Sequence, residues 1–168
     1  GSSVITSINQ IYSNGEKYVL LEVEVDSHRS GENVALAEIT LHYNNMATQR
    51  VDRLRNEIGV QFTTNQPTVE ENMDKAAMVS AVMQIAAERS EEAVILRDAG
   101  RVQEAKAAVQ ANSQFLQSNA ATLDSDELAG YGETMAEDAE SIESEEEWNA
   151  TRKKMVDDQY EKSSQQSY

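Results

Sequence analysis

Val34-Ala35-Leu36-Ala37-Glu38-Ile39-Thr40-Leu41-His42-Tyr43 sets apolar side chains against polar ones at every second position. Successive side chains of a strand point to opposite faces. Ala35, Ala37, Ile39, Leu41 and Tyr43 therefore share one face, and Glu38, Thr40 and His42 take the other. Working toward the C-terminus, roughly Thr48 to Thr63 repeats the pattern, with Leu54, Ile58, Val60 and Phe62 of one parity and Arg53, Arg55, Glu57 and Gln61 of the other. Toward the N-terminus, Tyr18 to Val25 alternates Val19, Leu21, Val23 and Val25 against Glu22 and Glu24, and Val4 to Tyr12 is rich in Ile and Thr. Ser13-Asn14-Gly15 carries an Asn-Gly hairpin signal, Tyr43-Asn44-Asn45 opens another turn, and Ser27 to Asn33 is a longer loop. The expectation is an α+β chain led by an antiparallel four-stranded sheet, a partial β-sandwich with one apolar face.

The character changes at Pro67, the one proline. Thr68 with Glu71 fits a capping box, in which two orphaned backbone donors are satisfied reciprocally. The helix that follows carries Val69, Met73, Ala76, Ala77, Met83, Ala87, Val94 and Leu96 and ends at Gly100. Arg101 to about Ser118 forms a second helix with Val102, Ala105, Val109 and Phe115 inward. The two make a helical hairpin, with Gly100 in the left-handed conformation that ends a helix. Similar turns occur in tetratricopeptide repeats, but no second copy follows at a period of about 34 residues, so a repeat array is rejected. Asp124 with Glu127 starts a third helical segment, interrupted around Gly130-Tyr131-Gly132. The expected division is residues 1–3 as an expression scar, 4–66 as the β region, 67–122 as the helical hairpin, and 123–168 as an acidic helical C-terminal segment with a frayed tail.

Composition excludes several functions. The 168 residues include 14 Lys+Arg against 30 Asp+Glu, a net charge of -16, which repels phosphate backbones and anionic headgroups and argues against nucleic-acid binding. The absence of Cys excludes disulfides, thiolate metal sites and cysteine nucleophiles. No apolar run approaches the ~20 residues of a membrane-spanning helix, so direct membrane insertion is not expected.

Each candidate for chemistry has a plainer reading beside it. Asp124-Ser125-Asp126 ahead of Gly130 and Glu133 suggests a calcium loop, but counting from Asp124 puts Leu128 and Ala129 where a ligand and a glycine belong. Asp124 is better read as a helix cap. Asp26-Ser27-His28-Arg29-Ser30 departs from the D-x-S-x-S metal-ion-dependent adhesion motif at His28 and reads as a polar loop. The two histidines, His28 and His42, lie too far apart in sequence to suggest one metal site. No phosphate-binding glycine loop is present, and nothing selects one carboxylate as a buried acid. No catalytic, cofactor or metal residue is assigned, and no cofactor is expected. From Ala107 to Thr151 there is neither Lys nor Arg, and the stretch ends in the acidic run Glu143 to Glu147, which reads as a solvated helix face. Trp148 and the basic cluster Arg152, Lys153 and Lys154 are the candidate partner-binding residues. For Trp148 the competing reading is a side chain that packs its helix onto the body.

Three segments carry a resemblance: Tyr18-Val19-Leu20-Leu21-Glu22-Val23-Glu24-Val25, then Leu36 to Tyr43, then the Arg-rich strand into Val60-Gln61-Phe62-Thr63. Ala86-Ala87-Glu88-Arg89, Asp98-Ala99-Gly100-Arg101 and Glu104-Ala105 continue it. Together they resemble the region that follows the von Willebrand factor type A (VWA) domain in bacterial VWA proteins, often labelled calcium-activated chloride channel-like. The resemblance covers about residues 4 to 120. It implies a non-enzymatic accessory and protein-interaction module that supports a metal-dependent adhesion domain, within a parent at the cell surface or associated with a membrane. Its expected partners are proteins, the VWA domain upstream among them, and a second copy met through the exposed sheet. The alternatives are a stand-alone adaptor whose helical hairpin grips a peptide helix, and a hydrolase that uses carboxylates brought together by folding.

Overall fold

The computed structural model describes residues 3–8, 11 and 17–164. The chain forms two compact units, Leu21–Met73 and Gly1–Leu20 with Asp74–Tyr168.

The first unit is built on an antiparallel ribbon of β1 (Asn33–Asn45) and β2 (Arg50–Gln61). Its turn is fixed by local chemistry: Asn45 Oδ1 accepts from the backbone of Ala47 and Thr48 at 3.0 and 3.3 Å, and Asn45 Nδ2 donates to Asp52 at 2.7 Å. At the other end the ladder is extended by Phe62 N–H to Glu32 C=O at 2.9 Å and Gly31 N–H to Phe62 C=O at 2.7 Å. A short helix α1 (Gln66–Glu71) follows.

The four-stranded sheet and partial sandwich expected from the sequence are corrected to this two-stranded ribbon. Residues 3–8 and 17–30 have no strand, and the Asn-Gly turn at 13–15 lies outside the described residues. The physical reason is pairing. Alternation shows that a segment suits a half-buried sheet, but a strand exists only where a neighbour satisfies its backbone. Among the described residues, β1 has one such neighbour, joined by the Asn45 turn.

The ribbon also corrects one face. Ala35 opposes Gly59 and Ala37 opposes Ile58, so Leu36 is an extra residue, a β-bulge. The bulge reverses parity, and Val34, opposite Val60, replaces Ala35 on the face of Ala37, Ile39, Leu41 and Tyr43.

The second unit is helical: α2 (Lys75–Asp98), α3 (Val102–Leu123), α4 (Asp126–Ser141) and α5 (Glu145–Ser164). The expected hairpin is present as α2 and α3, but α4 packs on α3 and α5 lies along α2, so the pair is half of a four-helix unit. Buried positions recur at helical spacing: Val82, Met83, Ala86, Ala87, Ser90, Ala93 and Val94 on α2; Ala105, Val109, Asn112, Leu116 and Ala120 on α3; Leu128, Tyr131, Met135 and Ala139 on α4. The Thr68 cap is not used. The chain breaks after Glu71, and Asp74 caps α2 by accepting from Ala77 N–H at 3.0 Å. At the α3–α4 junction Ser125, not Asp124, is the N-cap, while Asp124 ends α3 in the left-handed region at φ 57°. The interruption expected at Gly130-Tyr131-Gly132 does not occur, because Gly132 lets α4 approach α3 and its carbonyl accepts from Ser113 Oγ at 2.7 Å.

Gly100 sits at φ 79°, with Arg101 N–H bonded to Leu96 C=O and Gly100 N–H to Arg97 C=O, the two bonds of a Schellman motif. Gly100→Ala is therefore expected to cost about 1 kcal/mol, since a Cβ is strained there. Gly130→Ala, in an exposed helix interior with open space around it, is expected to gain about 1 kcal/mol. Urea unfolding followed by circular dichroism checks both, and equal shifts of one sign would refute the distinction.

Candidate functional site

Two features of the molecule stand out, one in each unit. On the ribbon, directly opposed residues share a face, so Val34, Ala37, Ile39, Leu41, Tyr43, Leu54, Ile58 and Val60 make one largely apolar surface, broken only by Asn56 opposite Ile39 and Asp52 opposite Tyr43. It is uncovered: Ile39 and Leu41 are each 47% exposed and Leu54 is 56% exposed. The opposite face pairs Glu38 with Glu57, Thr40 with Arg55 and His42 with Arg53, and Arg55 bridges Glu38 at 2.5 Å. At the bulge, a recess of about 440 Å³ is lined by Val34, Ala35, Ile58, Gly59 and Val60 among others.

The second feature is the seam under α5. Only Trp148, Thr151 and Met155 of this helix are buried among its described side chains, so polar contacts carry much of its docking. Trp148 Nε1 donates to Asp98 at 3.2 Å, Arg152 bridges the same carboxylate at 2.8 Å, and the Arg97 guanidinium lies 5.2 Å from the centre of the Trp148 ring. Arg97 Nε also donates to Ile142 C=O at 2.7 Å, fixing the α4–α5 link. Lys154 donates to Asp138 Oδ1 at 2.8 Å, and Gln159 Nε2 to Ser90 Oγ at 3.1 Å.

Of the four residues singled out from sequence, Trp148, Arg152 and Lys154 thus contact the chain's own Asp98 and Asp138, and Lys153 is exposed. Trp148 packs onto the body, with the Arg97 guanidinium over its ring. In the acidic run, Glu143 is tied to Lys106 at 2.8 Å and Gln103 at 2.9 Å, while Glu145, Glu146 and Glu147 are exposed in the first turn of α5, where they suit its positive end. His28 bonds Glu32 in the loop, and His42 lies on the ribbon's polar face.

Sequence reasoning missed Asp138 and Tyr131. Asp138 is only 4% exposed, and its Oδ2 has no hydrogen-bond partner. Burial pushes its carboxyl up, opposed by the Lys154 hydrogen bond. Asp158 is also raised, by burial and by Asp138. Burial drags the Lys154 ammonium down, but the Asp138 bond and the charges of Asp138, Asp158 and Glu137 leave it above its ordinary range. The available signal was an Asp on an apolar stripe, three residues after Met135 and beside Ala139.

Tyr131 is buried beside Ser90 without a well-formed hydrogen bond, and the Lys162 ammonium lies 5.8 Å from its ring centre. Burial, then Asp158 and Asp138, push its phenol up to about 12 from 10.0. The folded state thus favours the neutral phenol. Its contribution is constant below the unfolded value of 10.0 and is lost as pH rises toward about 12. Tyr131→Phe is expected to remove this component, which amounts to about 2 kcal/mol near the upper end. Urea midpoints of the two proteins across that range test it, and parallel curves would count against it.

A hydrolase would need Asp138 and Asp158 open to substrate. Asp138 instead lies beneath α5 with Lys154 on it, and the recess of about 280 Å³ nearby is lined by Gln84, Ala87, Glu88, Glu91 and Gln159. Among the described residues, no three His, Asp or Glu side chains converge as a metal site requires, and no helix is long and apolar enough to cross a membrane. No protein-family model, curated protein or solved structure matches this chain.

Proposed function

We propose that this chain is a non-enzymatic accessory and protein-interaction module of a VWA-domain protein, supporting a metal-dependent adhesion domain borne elsewhere in its parent. The observation that carries the reading is the uncovered apolar face of the ribbon. A two-stranded ribbon is marginal by itself, and a one-sided apolar face of this length calls for a covering layer. The resemblance of Tyr18–Val25, Leu36–Tyr43 and Val60–Thr63 to the region after a VWA domain names the candidate for that layer. The adaptor alternative is less favoured, since α5 lies along α2 and α4 along α3, where a peptide helix would have to dock. The hydrolase alternative is less favoured because Asp138 is covered.

The test is to express the chain with the native residues that precede it in its reading frame and to measure amide hydrogen exchange over residues 33–61. An upstream α/β domain with an intact D-x-S-x-S, and slower exchange in the ribbon when it is joined, is the expected result. A frame without such a domain, or unchanged exchange in its presence, overturns the reading.

A further inference from the structure

The two edges of the ribbon differ. β2 carries Arg50, Asp52, Arg53, Arg55 and Glu57, and charge on an edge discourages pairing with another chain. Along β1 the only residue of fixed charge is Glu38, with His42 four positions on. Every residue of β1 from Glu38 to Asn44 is exposed, and the strand's 13 residues offer a long edge without a proline. We propose that β1 pairs antiparallel with β1 of a second copy of this chain, about an axis through Thr40, so that two ribbons form one four-stranded sheet.

The register follows from complementarity. A two-fold axis at Thr40 sets Ile39 against Leu41 of the second copy and Ala37 against Tyr43, all on the apolar face. On the polar face it sets Thr40 against Thr40 and Glu38 against His42. Each pair off the axis occurs twice and Thr40–Thr40 once, as an isologous interface demands, and Thr–Thr and oppositely polar pairs are favourable cross-strand neighbours. Glu38 Oε2 already holds Arg55, which leaves Oε1 to accept from the imidazole. A slip by one residue would oppose apolar to polar side chains along the whole edge. A slip of the axis to Leu41 keeps the faces but sets Glu38 against Asn44 and loses the histidine. The bulge at Leu36 ends the new ladder just before Ala37, as bulges at edges do.

This pairing uses the edge and leaves the apolar face free for the layer proposed above, so either idea can fail without the other. The test is sedimentation equilibrium of the full chain over a wide range of micromolar concentrations, with three variants. The chain has no cysteine, so Thr40→Cys introduces a single thiol, placed at the axis where opposed Cα atoms lie about 5 Å apart, within disulfide reach. Thr40→Cys should oxidise to a covalent dimer much faster than Gln49→Cys in the turn. Thr40→Glu faces Arg55 in its own ribbon, which keeps the ribbon intact, but sets two carboxylates against each other at the axis. It should weaken self-association roughly tenfold. A wild-type mass that stays at one chain throughout overturns the proposal. So does cross-linking of Thr40→Cys no faster than the turn control, or a dimer that Thr40→Glu leaves intact.

Discussion

Trp148→Ala is expected to lower the stability of the helical unit by about 3 kcal/mol and to free α5 first. Truncating a buried tryptophan removes a large apolar side chain from a helix that buries only Trp148, Thr151 and Met155 among its described residues. The indole also donates to Asp98, which Arg152 shares, and it carries Arg97 on its face. The same change therefore leaves Asp98 with one donor fewer and Arg97 without its platform. Hydrogen exchange should show α5 amides losing protection ahead of those around Val109 and Leu116 on α3, with urea unfolding giving the total. A loss below about 1 kcal/mol, or uniform loss across all four helices, would mean that α5 is held by something other than this anchor.

Lys154→Met should cost about 2 kcal/mol at neutral pH, a figure below that for fully buried pairs because the lysine side chain is itself 46% exposed. The cost comes from Asp138, which would be left buried without the one hydrogen-bond partner it has among the described residues. Its carboxyl is already raised, so the folded state disfavours the ionised form. Stability gains as pH falls through the folded value toward the unfolded 3.8, and the gain is absent above that window. In Lys154→Met the carboxyl rises further, and the penalty should shrink steadily on acidification. Adding Asp138→Asn removes the charge and should recover more than half of the loss at neutral pH. Unfolding titrations at neutral and acidic pH decide the matter. A penalty that does not change with pH, or a double variant no better than the single one, would sink this account.

The parts of the fold that depend on local chemistry were legible in the sequence. β1 and β2 follow from alternation and from the Asn44-Asn45 turn, and the α2–α3 hairpin follows from its apolar spacing and Gly100. What depends on partners in space was not. Tyr18–Val25 alternates as cleanly as β1 but has no strand beside it among the described residues, and alternation alone carries no information about a neighbour. The cap at Asp74 was hidden behind Thr68 and Glu71, a plausible pair that loses because α1 ends and the chain turns at Asn72. Gly130 and Gly132 suggested a break, yet glycine in a helix also permits close approach, and only the Ser113–Gly132 contact tells the two apart. At the seam, Trp148 and the basic cluster were visible as unusual residues. Their acidic partners, Asp98 and Asp138, come from α2 and α4, and no spacing rule links them.

Leu36 leaves β1 with one residue to spare. Ala35 and Ala37 already oppose adjacent residues of β2, so a chain lacking Leu36 would keep every side chain of the ribbon on its present face and simply straighten. Removing a residue anywhere from Ala37 to Asn45 would instead turn over all that lies beyond it, until the turn absorbed the change. Insertions and deletions that accumulate in this ribbon over evolutionary time are therefore expected at two places only, position 36 and the turn at 46–49.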